Sequence, residues 1–105
     1  MFIAMNRFQV RPGKEAEFAA MWAGRDSHLA DVPGFSTFHL VRGPSDDNGT
    51  LYATHTVWDS REDFVNWTKS DAFRAAHAGA GKTQDLYAGP PRLELFEVVQ
   101  TLPGQ

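Results

Sequence analysis

The sequence predicts an α+β fold of the ferredoxin-like kind, ordered β-α-β-β-α-β, with one antiparallel sheet and helices on one face. Three observations predict it. Strand-like alternation occurs four times, at about residues 1–11, 35–42, 50–58 and 92–101. Helical spacing of apolar residues fills the gaps after the first and third of these. The second and third are joined only by the turn-rich stretch Gly43-Pro-Ser-Asp-Asp-Asn-Gly49, as in a hairpin. The 105 residues form one domain, 1–105, with a modest core and neither an internal repeat nor a low-complexity tract.

In the first strand Phe2, Ala4, Asn6, Phe8 and Val10 share a face, and Ile3, Met5, Arg7 and Gln9 share the other. Asn6 is the polar member of an otherwise apolar row. A buried amide left unpaired costs about 1–3 kcal/mol, so Asn6 is surface-facing, internally satisfied, or aimed into a ligand pocket. Pro12-Gly13 turns the chain into a helix from about Lys14 to Leu29. Its stripe is Phe18, Met21, Trp22, Arg25 and Leu29, which places Arg25 beside apolar residues. Arg25 then either snorkels to water or clamps a ligand carboxylate, a task that suits its planar fork of donors. His28 reads as surface.

Pro33-Gly34 leads into the second strand, and the third runs from Thr50 to Trp58 with Tyr52, Thr54, Thr56 and Trp58 on one face. His39 and His55 on these strands read as structural. The second helical region is split in two. Asp59-Ser60 caps a helix over 62–69, where Phe64 and Trp67 are an i, i+3 pair. Ser70 caps a second over 71–78, where Phe73 and His77 are an i, i+4 pair. On one straight helix Trp67 and His77 would lie roughly 15 Å apart along the axis and point about 80° apart. A break at Ser70 lets the two pieces fold around one large flat ligand. Gly79-Ala-Gly81 ends the helix, residues 82–91 form a polar loop that is a candidate mobile lid, and the last strand is 92–101. If the helices cover one sheet face, the face of Ile3 and Met5 stays open and favours a homodimer in which two sheets pack as a barrel.

Composition narrows the function classes. A net charge of −3 and a pI near 5.7 argue against nucleic acid or an anionic membrane as the main partner. The absence of cysteine excludes disulfides, iron–sulfur clusters, thiolate haem ligation and cysteine nucleophiles. Arg7 interrupts the N-terminal apolar run, so a signal peptide is not expected, and no run is long enough to span a membrane; a cytoplasmic protein is the default expectation. His28, His39, His55 and His77 have no zinc-site spacing, and no phosphate-binding glycine loop or Ser/His/Asp order is present. A lone His77 among Trp, Phe and Ala is either a satisfied core histidine or the kind of proximal ligand a haem iron takes.

Val57-Trp58, Phe64 and the run Trp67-x-Lys-Ser-Asp-x-Phe-x-Ala-Ala-His77 resemble the IsdG-type haem-degrading monooxygenases, of the antibiotic-biosynthesis-monooxygenase dimeric ferredoxin-like fold. Asn6-Arg7, Pro33-Gly34-Phe35 and Leu95-Phe96-Glu97-Val98-Val99 add to the resemblance, which covers nearly the whole chain. It implies that His77 is the proximal ligand of haem iron and that Asn6 lies on the distal side, hydrogen-bonding the oxygen ligand of the iron. It implies that Trp67 presses on the macrocycle and helps ruffle it, and that Arg25 approaches a propionate. The expected activity is oxidative opening of the porphyrin with O2 and an external reductant or reductase, giving a linear tetrapyrrole and free iron for iron acquisition. Haem is then both substrate and cofactor. The alternatives are a cofactorless quinol-forming monooxygenase of the same fold and a non-enzymatic haem carrier or sensor.

Overall fold

Four antiparallel strands, in the spatial order Phe35–Asp46, Gly49–Trp58, Phe2–Val10 and Arg92–Glu97, carry the molecule. The computed structural model describes residues 1–24, 29–76 and 85–104. Its elements are β1 (Phe2–Val10), α1 (Glu15–Ala23), a 3-10 turn (Leu29–Asp31), β2 (Phe35–Asp46), β3 (Gly49–Trp58), α2 (Arg61–Thr68), α3 (Asp71–Ala76) and β4 (Arg92–Glu97). The expected ferredoxin-like order is present, with the second helical region in two pieces.

β1 is central, pairing with β3 from Phe2↔Trp58 to Val10↔Thr50 and with β4 from Phe2↔Glu97 to Arg7↔Arg92. Its period-two pattern decides which face is covered. Phe2, Ala4, Phe8 and Val10 are buried, whereas Ile3, Met5 and Gln9 are half-buried and Arg7 is exposed. The buried row meets the helices in two clusters. One joins Phe2 and Ala4 to Leu29, Trp58 and Phe64, with Trp67 packed against it. The other joins Phe8 and Val10 to Phe18, Tyr52 and Leu86, with Met21, Trp22 and Leu40 against it.

Three elements depart from the sequence expectation. α1 stops at Ala23, where Gly24, the poorest helix former after proline, donates its N–H to the Ala20 carbonyl. Leu29 belongs to the separate 3-10 turn and to the first cluster, while Phe18 belongs to the second, so one predicted stripe serves two cores. The hairpin strands run further than expected. β2 continues to Asp46 through a bulge at Gly43-Pro44, which lets the proline enter the sheet without a ladder donor, and the turn shrinks to Asp47-Asn48. Gly49 closes this turn at φ +118°, where a Cβ would collide with the Val10 carbonyl. β4 ends at Glu97.

The segment expected as a free lid is anchored where it is described. Leu86 is buried, its carbonyl accepts the Arg11 N–H at 2.8 Å, and Ala88 N–H donates to the Gln9 carbonyl at 2.7 Å. Tyr87 bridges Val10 and stacks on Phe8 at 5.6 Å. Residues 82–84 of that stretch lie outside the described residues. Among the described residues no helix is long and apolar enough to cross a membrane.

Candidate active site

Strand register builds the site before any side chain is considered. In an antiparallel sheet direct partners point to the same face. The partners of Asn6 are Thr54 on β3 and Leu93 on β4, and Thr54 is in turn opposite Leu40 on β2. Leu40, Thr54, Asn6 and Leu93 therefore form one row across the helix-bearing face. This row runs between the two aromatic clusters, with Ala4 on one side of Asn6 and Phe8 on the other. Asn6 is half-buried, and among the described residues its amide has no side-chain hydrogen bond. Leu93 and Leu95, opposite Asn6 and Ala4 on the edge strand, are 55% and 41% exposed although they point to the core face. The amide thus sits at the border between packed core and open apolar surface.

Trp67 comes to this face through two helices. Ser60 starts α2 by accepting the Asp63 N–H at 3.2 Å, a cap worth about 1 kcal/mol. Phe64 then enters the core, and Trp67, one turn on, packs on Trp58 at 5.5 Å and meets Phe73 edge-to-face at 4.8 Å. Ser70 makes the break between the helices. Its hydroxyl donates to the Trp67 carbonyl at 2.6 Å, closing α2, and accepts the Phe73 N–H at 3.1 Å, opening α3. The hinge predicted from sequence is therefore a single serine used at both helix ends.

Trp67 and Asn6 lie on the same layer: Trp67 packs on the cluster that contains Ala4, the same-face neighbour of Asn6. His77 follows the last residue of α3 directly in sequence; it, Arg25 and His28 lie outside the described residues. His39 and His55 are cross-strand partners on the opposite face, ring centroids 5.9 Å apart, and so stand away from the site. Among the described residues no group of three or more His, Cys, Asp or Glu could hold a metal ion. Nothing in the sequence singles out Thr54; the register with Asn6 is what brings it into the row.

The donor set suits a large, flat, mostly apolar ligand. Around Asn6 the described surface offers aromatic and aliphatic side chains, one neutral amide and, beside it, the Thr54 hydroxyl. Haem, an apolar macrocycle that needs one neutral nitrogen ligand and few polar contacts, fits that chemistry.

Comparisons with known proteins agree with this fold. Over 87 residues the chain is 33% identical to a protein of Staphylococcus haemolyticus named "Heme oxygenase (staphylobilin-producing)", covering 79% of each. Its structure is similar to that of the haem-degrader MhuD from Mycobacterium tuberculosis, solved with two haems bound in its active site. The TM-score is 0.73 at 29% identity, covering 98% of this chain and 100% of that one. It is also similar to SnoaB, a cofactor-independent oxygenase from Streptomyces nogalater, with a TM-score of 0.72 at 28% identity over 98% and 97% of the two chains. The model of the family described as antibiotic biosynthesis monooxygenase matches residues 1–79, from the first strand past α3, and the chain belongs to that family.

Proposed function

We propose that the chain is a haem-degrading monooxygenase that opens the porphyrin with O2 and electrons from an external reductant, giving a linear tetrapyrrole and free iron. The observation that carries this reading is the place of Asn6: a neutral amide without a described partner, in an apolar row, on the layer that also holds Trp67. The name of the staphylococcal relative and the description of MhuD as a haem-degrader support the substrate.

In this reading the haem supplies oxygen activation, and the protein supplies position. The His77 imidazole would hold the iron. Asn6 would present its amide N–H to the reacting oxygen. Trp67, braced by Trp58, Phe64 and Phe73, gives the macrocycle an aromatic wall that does not yield. Arg25 would pair with a propionate. The chain carries no flavin or nicotinamide motif, so the electrons come from a separate donor or reductase. The reading includes a cytoplasmic role in obtaining iron from haem and a homodimer with one site per subunit, the dimer argued from the sheet face that carries Ile3 and Met5.

The similarity to SnoaB favours a second reading, a monooxygenase acting without a cofactor on an aromatic polyketide or small phenol. A haem carrier or sensor is the third. One experiment separates all three: titrate the protein with haemin, add ascorbate, and follow the Soret band to an identified pigment. The haem reading expects a saturable Soret shift, then bleaching to a tetrapyrrole. A shift without bleaching points to storage or sensing, and no shift points to the phenol chemistry. The His77→Ala variant should lose turnover and change the ferric spectrum. An unaltered spectrum and rate would exclude His77 as the ligand.

A further inference from the structure

Three threonines are buried in the sheet, and their hydroxyls differ. Thr50 Oγ1 lies 2.8 Å from Ser45 Oγ and shares a hydrogen bond with it across the hairpin. Thr56 Oγ1 donates to the Ala4 carbonyl at 3.1 Å and accepts from Trp58 Nε1 at 3.0 Å. Thr54 is 8% exposed, and among the described residues its hydroxyl has no hydrogen-bond partner. It points to the same face as Asn6, its direct partner in register, between Leu40 and the β1 amide. The Thr54 hydroxyl is not sealed from solvent, so it can be reached from the site, and valine would fill the position with nearly the same shape. Two polar groups without described partners, on adjacent strands in one apolar row, make a polar strip only two side chains wide. A small polar ligand resting over that strip would meet both.

We infer that Thr54 is a second hydrogen-bonding residue of this site. Its hydroxyl donates, beside the Asn6 amide, to the small oxygen ligand that the haem carries on its Asn6 side. This inference rests on the haem reading above. Two donors from neighbouring strands fix the direction of that ligand as well as its charge, which a single amide on a rotatable side chain does not do.

The test uses Thr54→Val, which removes the hydroxyl and little else, and Thr54→Ser, which keeps it. Without haem, the Thr54→Val protein should melt as high as wild type or higher, because no internal hydrogen bond is lost. It should bind haemin within about twofold of wild type, as a small isosteric change does. Its ferrous carbon monoxide complex should show a C–O stretch moved to higher frequency, reporting a lost donor. Its ring-opening rate should fall about tenfold, one hydrogen bond's worth, with Thr54→Ser restoring both rate and stretch. Early melting of Thr54→Val would show a structural hydroxyl, and a wild-type stretch and rate in that variant would remove Thr54 from the site; either result overturns the assignment while haem degradation by wild type stands. A wild-type protein that takes up no haemin overturns the haem reading and this inference together.

Discussion

Asn6 has its two same-face neighbours, Ala4 and Phe8, in different aromatic clusters, so removing its side chain empties a seam and does not hollow a core. Asn6→Ala should therefore melt close to wild type, bind haemin nearly as well, and degrade it poorly. Parallel loss of affinity and rate, read from titration and single-turnover absorbance, would instead point to a structural amide. Two tryptophans near one another call for opposite expectations. Trp58 is fully buried with its indole N–H spent on Thr56, so Trp58→Ala should cost about 3–5 kcal/mol in a denaturant titration. Trp67 is half-buried and caps that cluster from above. Trp67→Phe keeps an aromatic partner for Phe73 yet shortens the wall, so it should fold, bind haemin and show a flatter haem by resonance Raman with slower degradation. A variant that melts far earlier while its haem stays as distorted and as quickly degraded would make Trp67 only a core residue. At this scale the faces of Asn6 and Trp67 could be read from sequence, because alternation and the i, i+3 spacing fix them. Thr54 could not, because its meaning depends on a register between strands 48 residues apart in sequence that no local pattern encodes.

Among the elements, the α2–α3 break concentrates two functions in Ser70. Ser70→Ala removes both the cap on the Phe73 N–H and the bond to the Trp67 carbonyl, and should cost about 1–2 kcal/mol. For a domain of this size that lowers the melting temperature by roughly 4–8 °C per kcal/mol. Ser70→Asp keeps an acceptor for the Phe73 N–H but loses the donor, so it should recover only part of the loss in a calorimetric scan. If the two variants melt together, the Trp67 carbonyl bond carries the whole effect. The break was legible because a good N-cap followed by an acid interrupts two short apolar pairs. The end of α1 was less so: spacing alone extended the stripe to Leu29, and Gly24 outweighed it. The hairpin misled in the opposite sense, since Gly43-Pro44 has the composition of a loop yet is absorbed as a bulge by strands already in register on both sides. The anchoring of Leu86–Ala88 was hidden for a related reason. Its bonds go to backbone groups at the end of β1 more than 70 residues away, and polar composition says nothing about such pairing.

For the whole molecule, the proportions argue for a partner. The radius of gyration is 14.6 Å, against about 13 Å for a compact chain of 100 residues, and the shortest extent is 23 Å, a sheet and one helical layer. Among the described residues, helices cover only the Phe2–Val10 face. On the other face Ile3 and Met5 are half-buried, Val41 and Phe96 are 42% and 45% exposed, and beyond β4 Val99 and Leu102 stand almost fully exposed. A sheet of four strands with such a face is the half of a sandwich, and a second copy applied to it would bury these side chains against their own equivalents. The expected species at micromolar concentration is therefore a homodimer by sedimentation equilibrium. Phe96 tests the surface involved, because it pairs with Ile3 on the open face while its neighbour Leu95 points to the helix-bearing face. A charge there costs little in a monomer, where it stays wet, and several kcal/mol in a dimer, where it is buried without a partner. Phe96→Glu should thus sediment as a folded monomer with an unchanged far-UV circular dichroism spectrum. A wild-type chain that is already monomeric, or a Phe96→Glu chain that still dimerises as tightly, would move the interface off this face.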